Sequence, residues 1–164
     1  MVGTLHYGLH YGRAPDTARF VGYCDSDLAS DVDTSKSTTE TMFFFGDCLV
    51  SWQSLKQKVV ALSSCEAEYI TTITAATQAL WLSRMLVELL GRKVDVVELK
   101  VDNKSALTLA KNPVFHERSK HIHIRYHFIR DCLEDSGIKA GHIATTDQLA
   151  DILNKSLGKS KSRR

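Results

Sequence analysis

The feature that most limits how this chain can fold is an abrupt change of hydrophobic period at Ser63. Before it, ARFVGYCD, TMFFFG and CLVSWQ are short runs rich in aromatic and β-branched residues, the composition of strands. The last two are separated by Gly46-Asp47, a hairpin signal although the favoured order is Asp-Gly. After it, Glu66, Ile70, Ile73, Thr77 and Leu80 recur at helical spacing. The stripe runs on through Leu82, Leu86 and Leu89 to Gly91, a residue suited to end a helix. Three antiparallel strands leading into one long helix follow from this pattern.

Beyond Gly91 the two periods alternate. VDVVELKVD reads as a fourth strand and NKSALTLAK as a short helix stopped before Pro113. HIHIRYHFIRDCLEDS reads as another helix, stopped by Gly137, and IKAGHI as a fifth strand. TTDQLADILNKSL closes the series as a helix capped by Thr145 or Thr146. The order βββαβααβα predicts an α/β fold, a mixed five-stranded sheet with helices on both faces. Helical crossovers force the first, fourth and fifth strands to be parallel, and the strand order 3-2-1-4-5 satisfies the right-handed rule.

A chain of 164 residues suits one domain with a genuine core. We place a lead-in over 1–18, the domain over 19–158 and a basic tail over 159–164. Its 43% hydrophobic and 24% charged residues exclude a disordered or fibrous chain. No apolar run approaches a membrane span and no signal-peptide layout opens the chain, so it reads as intracellular. Cys24, Cys48, Cys65 and Cys132 form no C-x-x-C pair, which argues for buried free thiols. The net charge of +2 does not by itself identify a polyanionic partner. The basic residues are concentrated, however, between His116 and Arg130, where phosphate contacts compete with a simple solvated helix face.

Four carboxylates invite a common purpose. Asp25 ends the first strand and Asp102 the fourth; as parallel neighbours roughly 4.8 Å apart, these strands would set both side chains at the crevice of an open sheet. Glu66 lies on the long helix's apolar stripe and should face inward. Ser63-Ser64-Cys65-Glu66 is equally a capping box, which would give Glu66 a purely structural task. Glu68 points away from that stripe and is the weaker candidate. Asp151 falls inside the closing helix, where the alternative is plain solvation. Hard divalent ions take oxygen ligands, and a pair of them can activate water and stabilise the leaving oxygen of a phosphodiester.

A competing use of His116, His121, His123, His127 and Cys132 is a zinc site, with His123 and His127 sharing a helix face. The missing C-x-x-C favours a wet, histidine-rich helix instead.

YCDSD, DTSKSTTE, FFFGDCLVSWQSLKQKVVALSSCEAEY, VDNKSAL, NPVFHERSKHIHIRYHFIRD and TTDQLADILNKSL occur in an order that resembles the ribonuclease H domain of copia-type LTR retrotransposon Pol polyproteins. The likeness runs over about residues 20–158, and GTLHYGLHYGR is similar to the segment joining that domain to the upstream reverse transcriptase. The resemblance implies a ribonuclease H-like fold and hydrolysis of the RNA strand of an RNA–DNA hybrid, leaving a 3′ hydroxyl and a 5′ phosphate. It implies two Mg2+ or Mn2+ ions held by Asp25, Glu66, Asp102 and Asp151, with His142 as an auxiliary to product release. Asn103, Lys120, His121 and Arg125 are the nucleic-acid-binding candidates. The partners implied are the hybrid and the reverse transcriptase region of the same polyprotein, with no membrane, in a cytoplasmic virus-like particle or the nucleus. Departures from the family pattern are Leu28 for a tryptophan, Glu40-Thr41 for a glycine-aromatic pair, Cys65 for a threonine and His123 for an aspartate. They keep open an alternative in which a decayed or host-adopted module binds hybrid or a protein partner without cutting.

Overall fold

A computed structural model describes residues 8–13, 15, 17–31, 33–91, 96–111 and 137–155. Among these, β1 (Phe20–Asp27), β2 (Thr38–Phe45) and β3 (Cys48–Lys56) precede α1 (Ser64–Leu90). Then come β4 (Val97–Val101), α2 (Lys104–Lys111) and β5 (Ile138–His142). The strands form one sheet in the order β3-β2-β1-β4-β5. β1 pairs antiparallel with β2 and parallel with β4, and β4 pairs parallel with β5. The expected order of strands is therefore the observed one.

Local chemistry sets the joints. Gly46 takes a left-handed φ of 60° in the β2–β3 turn, a conformation that costs glycine little. Val50 has no partner on β2, because Phe43 faces Ser51 while Phe44 faces Leu49, and this extra residue bulges β3. Gly22 has a different reason to lack a side chain: a Cβ there would lie 2.5 Å from the Phe43 ring and 2.7 Å from Leu99. The two large side chains close over it in the core.

The inner face of α1 keeps part of the expected stripe, with Ile70, Ile73, Leu82 and Leu86 buried, but Thr77 and Leu89 lie at the surface and small or polar residues at Glu68, Thr72, Ala75 and Ala79 fill the rest of it. Small residues let α1 approach the sheet, where Phe20, Phe43, Leu99 and Val101 complete the core. Gln57 ties β3's end to α1: its Nε2 donates to Thr39 Oγ1 at 3.2 Å, Ala67 O at 3.0 Å and Thr71 Oγ1 at 3.3 Å.

The expected closing helix is instead two short 3₁₀ turns, Thr145–Asp147 and Leu149–Leu153. Gln148 between them is extended, with ψ 104°, and its buried amide donates to the Cys24 carbonyl of β1 at 2.8 Å. Anchoring to the sheet thus overrides continuous helix. Neither threonine caps a helix here, and the first turn has no side-chain cap bond. The expected helix over HIHIRYHFIRDCLEDS and the basic tail lie outside the described residues, as do the first seven residues of the lead-in. No helix among the described residues is long and apolar enough to cross a membrane.

Candidate metal centre

The parallel pairing of β1 with β4 carries Asp25 and Asp102 to the same end of the sheet, where the chain leaves β4 for α2. α1 starts beside them. Oxygens of Asp25, Glu68 and Asp102 all lie within 4.8 Å of one another. The Leu149–Leu153 turn brings in Asp151, close enough for its carboxyl group to share a hydrogen bond with Asp25. Around these stretches an open cleft of about 580 Å³, with Ser26, Asn103, His142, Thr145 and Lys155 on its walls.

Each acid is held in place. Glu68 Oε1 accepts from Ser26 N at 2.9 Å and Ser26 Oγ at 2.8 Å, which locks α1 to the end of β1. Thr145 Oγ1 donates to Asp102 Oδ2 at 3.1 Å, and Lys155 pairs with Asp151. Asn103 Oδ1 accepts from Ala106 N at 3.0 Å, capping α2 immediately after Asp102.

Electrostatics makes the cluster uncomfortable without a counter-charge. Burial and the neighbouring Asp102 and Asp151 charges raise the Asp25 pKa to about 7. Burial, opposed by the Ser26 hydrogen bond but reinforced by Asp25 and Asp102, raises that of Glu68 to about 8. Glu68 Oε2 is buried and has no hydrogen-bond partner among the described residues. A set of carboxylates this close, one with an orphaned oxygen, matches the hard-oxygen donor set of a divalent cation. The residues present fit such an ion.

Glu66 is not part of this group. Its amide donates to Ser63 Oγ at 3.2 Å, as in a capping box, and its Oε2 accepts from Leu62 N, one residue before the cap, at 2.8 Å, so it serves the helix N-terminus as the structural alternative expected. Glu68, read from sequence as pointing away, stands in its place. The available signal was the 68-72-75-79-82-86 stripe, hidden because alanine and threonine carry little hydropathy. Asp25, Asp102 and Asp151 meet, His142 is exposed on the cleft wall and Asn103 lines it. Lys120, His121 and Arg125, and the zinc alternative of His116, His121, His123, His127 and Cys132, fall outside the described residues. Ser26 and Lys155 had drawn no attention in the sequence as site residues, and Thr145 only as a helix cap.

No family model matches the chain. It is 44% identical over 141 residues to the retrovirus-related Pol polyprotein from transposon TNT 1-94 of Nicotiana tabacum, covering 85% of this chain and 10% of the polyprotein. It is 38% identical over 160 residues to that from transposon RE1 of Arabidopsis thaliana, covering 98% and 11% respectively. The chain thus spans about a tenth of the length of these relatives. Among solved structures, a ribonuclease H1 isolated from compost by metagenomics, LC11, superposes with a TM-score of 0.61 at 14% identity, covering 82% of this chain and 91% of that one. The ribonuclease H1 of Halobacterium salinarum gives 0.54 at 17%, covering 82% and 93%. LC11 ribonuclease H1 in complex with an RNA/DNA hybrid gives 0.58 at 14%, also covering 82% and 93%. The structural likeness at these identities is one of fold, while the sequence likeness is one of descent. The chain is a homologue of a segment of the retrovirus-related Pol polyproteins of plant transposons, and it has the ribonuclease H-like fold.

Proposed function

We propose that this chain is a divalent-metal-dependent ribonuclease H that cuts the RNA strand of an RNA–DNA hybrid during retrotransposon reverse transcription. The convergence of Asp25, Glu68 and Asp102 within 4.8 Å, from two parallel strands and a helix, is the observation that carries the reading. Two Mg2+ or Mn2+ ions would be held by Asp25, Glu68, Asp102 and Asp151, and when bound they supply an activated water and charge stabilisation at the phosphate. Ser26 orients the Glu68 carboxylate, Thr145 orients Asp102, and Lys155 orients Asp151. The cleft is open, as a duplex substrate requires, and the exposed His142 on its wall stands where departing product could be met. That a similar fold was solved with an RNA/DNA hybrid supports the choice of substrate. The reverse transcriptase region of the same polyprotein is the proposed partner, and a virus-like particle the proposed setting.

Asp102→Asn tests the reading, because the amide keeps the shape and loses the charge that holds an ion. Hybrid cleavage with Mg2+ is expected to fall by orders of magnitude with folding retained. A variant that cuts as fast as the parent would remove the assignment. A parent that binds hybrid with steep salt dependence yet never cuts would instead be the non-cleaving module.

A further inference from the structure

Lys155 is a cation that the chain itself brings to this cleft. Asp151 lies in the Leu149–Leu153 turn, and the Lys155 amide donates to the Asp151 carbonyl at 3.4 Å, which keeps the two residues on one short turn. The Lys155 ammonium pairs with Asp151 Oδ1, and both residues line the cleft. The charges that the ammonium feels most are those of Asp151, Asp25 and Asp102, all opposite to its own.

An ion pair between residues four apart on a solvated face contributes little and decides nothing. This pair is placed differently. The Asp151 side chain is 17% exposed and shares a hydrogen bond with Asp25, whereas the Lys155 side chain is 55% exposed and leads back to solvent. Among the described residues, the carboxylates that meet within 4.8 Å are Asp25, Glu68 and Asp102. Asp151 stands beside that group, joined to it through Asp25, and its Oδ1 already carries a positive charge. The centre is thus divided into a triad of acids and a fourth acid with a tethered counter-ion. A divalent ion that takes Asp151 as a ligand meets the ammonium there, and like charges a few ångströms apart repel.

We propose that Lys155 is a built-in competitor for the divalent ion at Asp151, filling that side of the centre in the metal-free chain and leaving before Asp151 can serve as a ligand. This rests on the metal-centre reading above and adds an order to it: Asp25, Glu68 and Asp102 load first, the Asp151 side second. The metal-free full chain is titrated calorimetrically with Mn2+ alongside Lys155→Met, which keeps the stem and loses the charge, Lys155→Arg, which keeps the charge, and Asp102→Asn. The parent is expected to show a strong Mn2+ step and a weaker one. In Lys155→Met the weaker step is expected to tighten roughly tenfold, while Lys155→Arg stays near the parent. A parent limited to one step supports the proposal if Lys155→Met gains a second, and overturns it otherwise. A weaker step unchanged in Lys155→Met would overturn it, and so would one that weakens, because Lys155 would then position Asp151 rather than compete for it. Failure of Lys155→Met to fold would overturn it as well, by making the pair a structural tie. Loss of the strong step in Asp102→Asn, with the weaker step of Lys155→Met unmoved, would keep the metal centre and drop this proposal alone. A parent and a Lys155→Met that both take up no Mn2+ would remove the metal-centre reading and the proposal together.

Discussion

Two glutamates two positions apart in one helical turn meet opposite fates, because a helix turns about 200° over two residues. Glu66 serves the N-terminus of α1, while Glu68 is buried against Ser26 and the two aspartates. Glu68→Gln is therefore expected to abolish metal-dependent cleavage. Glu66→Gln should leave cleavage largely intact, at a stability cost of about 1 kcal/mol or less; equal losses of cleavage in the two variants would refute the division. The aspartates were legible in the sequence because they end strands. The glutamate was not, because two physical uses of an S-x-x-E segment have the same spelling. The raised acids also set a pH dependence. Asp25, Glu68 and Glu40 titrate at about 7, 8 and 8 in the folded protein, against ordinary values of 3.8 for Asp and 4.5 for Glu. Between those limits the folded state holds protons that the unfolded chain has released, so stability falls as pH rises. The melting temperature of the metal-free protein is expected to drop from about pH 5 to about pH 8, and a flat or rising profile would contradict the burial of these groups.

Elements are positioned by a few long-range polar ties rather than by their own propensities. Gln57 is the clearest: one amide, just past the end of β3, donates to Thr39 of β2 and to Ala67 and Thr71 in the first turns of α1, positions 18, 10 and 14 away in sequence. Gln57→Leu is expected to lower stability by about 1–3 kcal/mol through the lost donor bonds. Because α1's first turns carry Glu68, hybrid cleavage should fall by more than the loss of folded protein accounts for. Denaturant melts and cleavage rates measured on the same samples check this, and a rate that merely tracks the folded fraction would refute the coupling. Strands and the long helix were readable because period and turn residues agree along each of them. The closing helix was misread because nothing local in TTDQLADIL reveals that Gln148 donates to Cys24, 124 positions away. A tertiary bond of that kind overrides helix propensity, which amounts to only tenths of a kcal/mol per residue.

At the scale of the whole molecule, the sheet order was legible because parallel strands joined through helices leave few topologies. The centre was legible only in outline, since it depends on which side chains α1 and the last turn present, and those are decided by packing. The same separation has a thermodynamic consequence. Asp25, Glu68, Asp102 and Asp151 come from four segments spread across the chain and meet only when the sheet has formed. An unfolded chain offers a divalent ion no such group of ligands, so an ion held there would bind the folded state alone and its binding energy would become folding energy. At a hundred times the dissociation constant the gain is about 2.7 kcal/mol. Mg2+ is therefore expected to raise the melting temperature of the parent in a concentration-dependent way, and a chelator to remove the effect. Asp102→Asn should blunt the rise, whereas Glu66→Gln should keep it, since capping contributes to both metal-free and metal-bound forms alike. A melting temperature indifferent to Mg2+ in the parent would mean that these carboxylates converge without binding an ion.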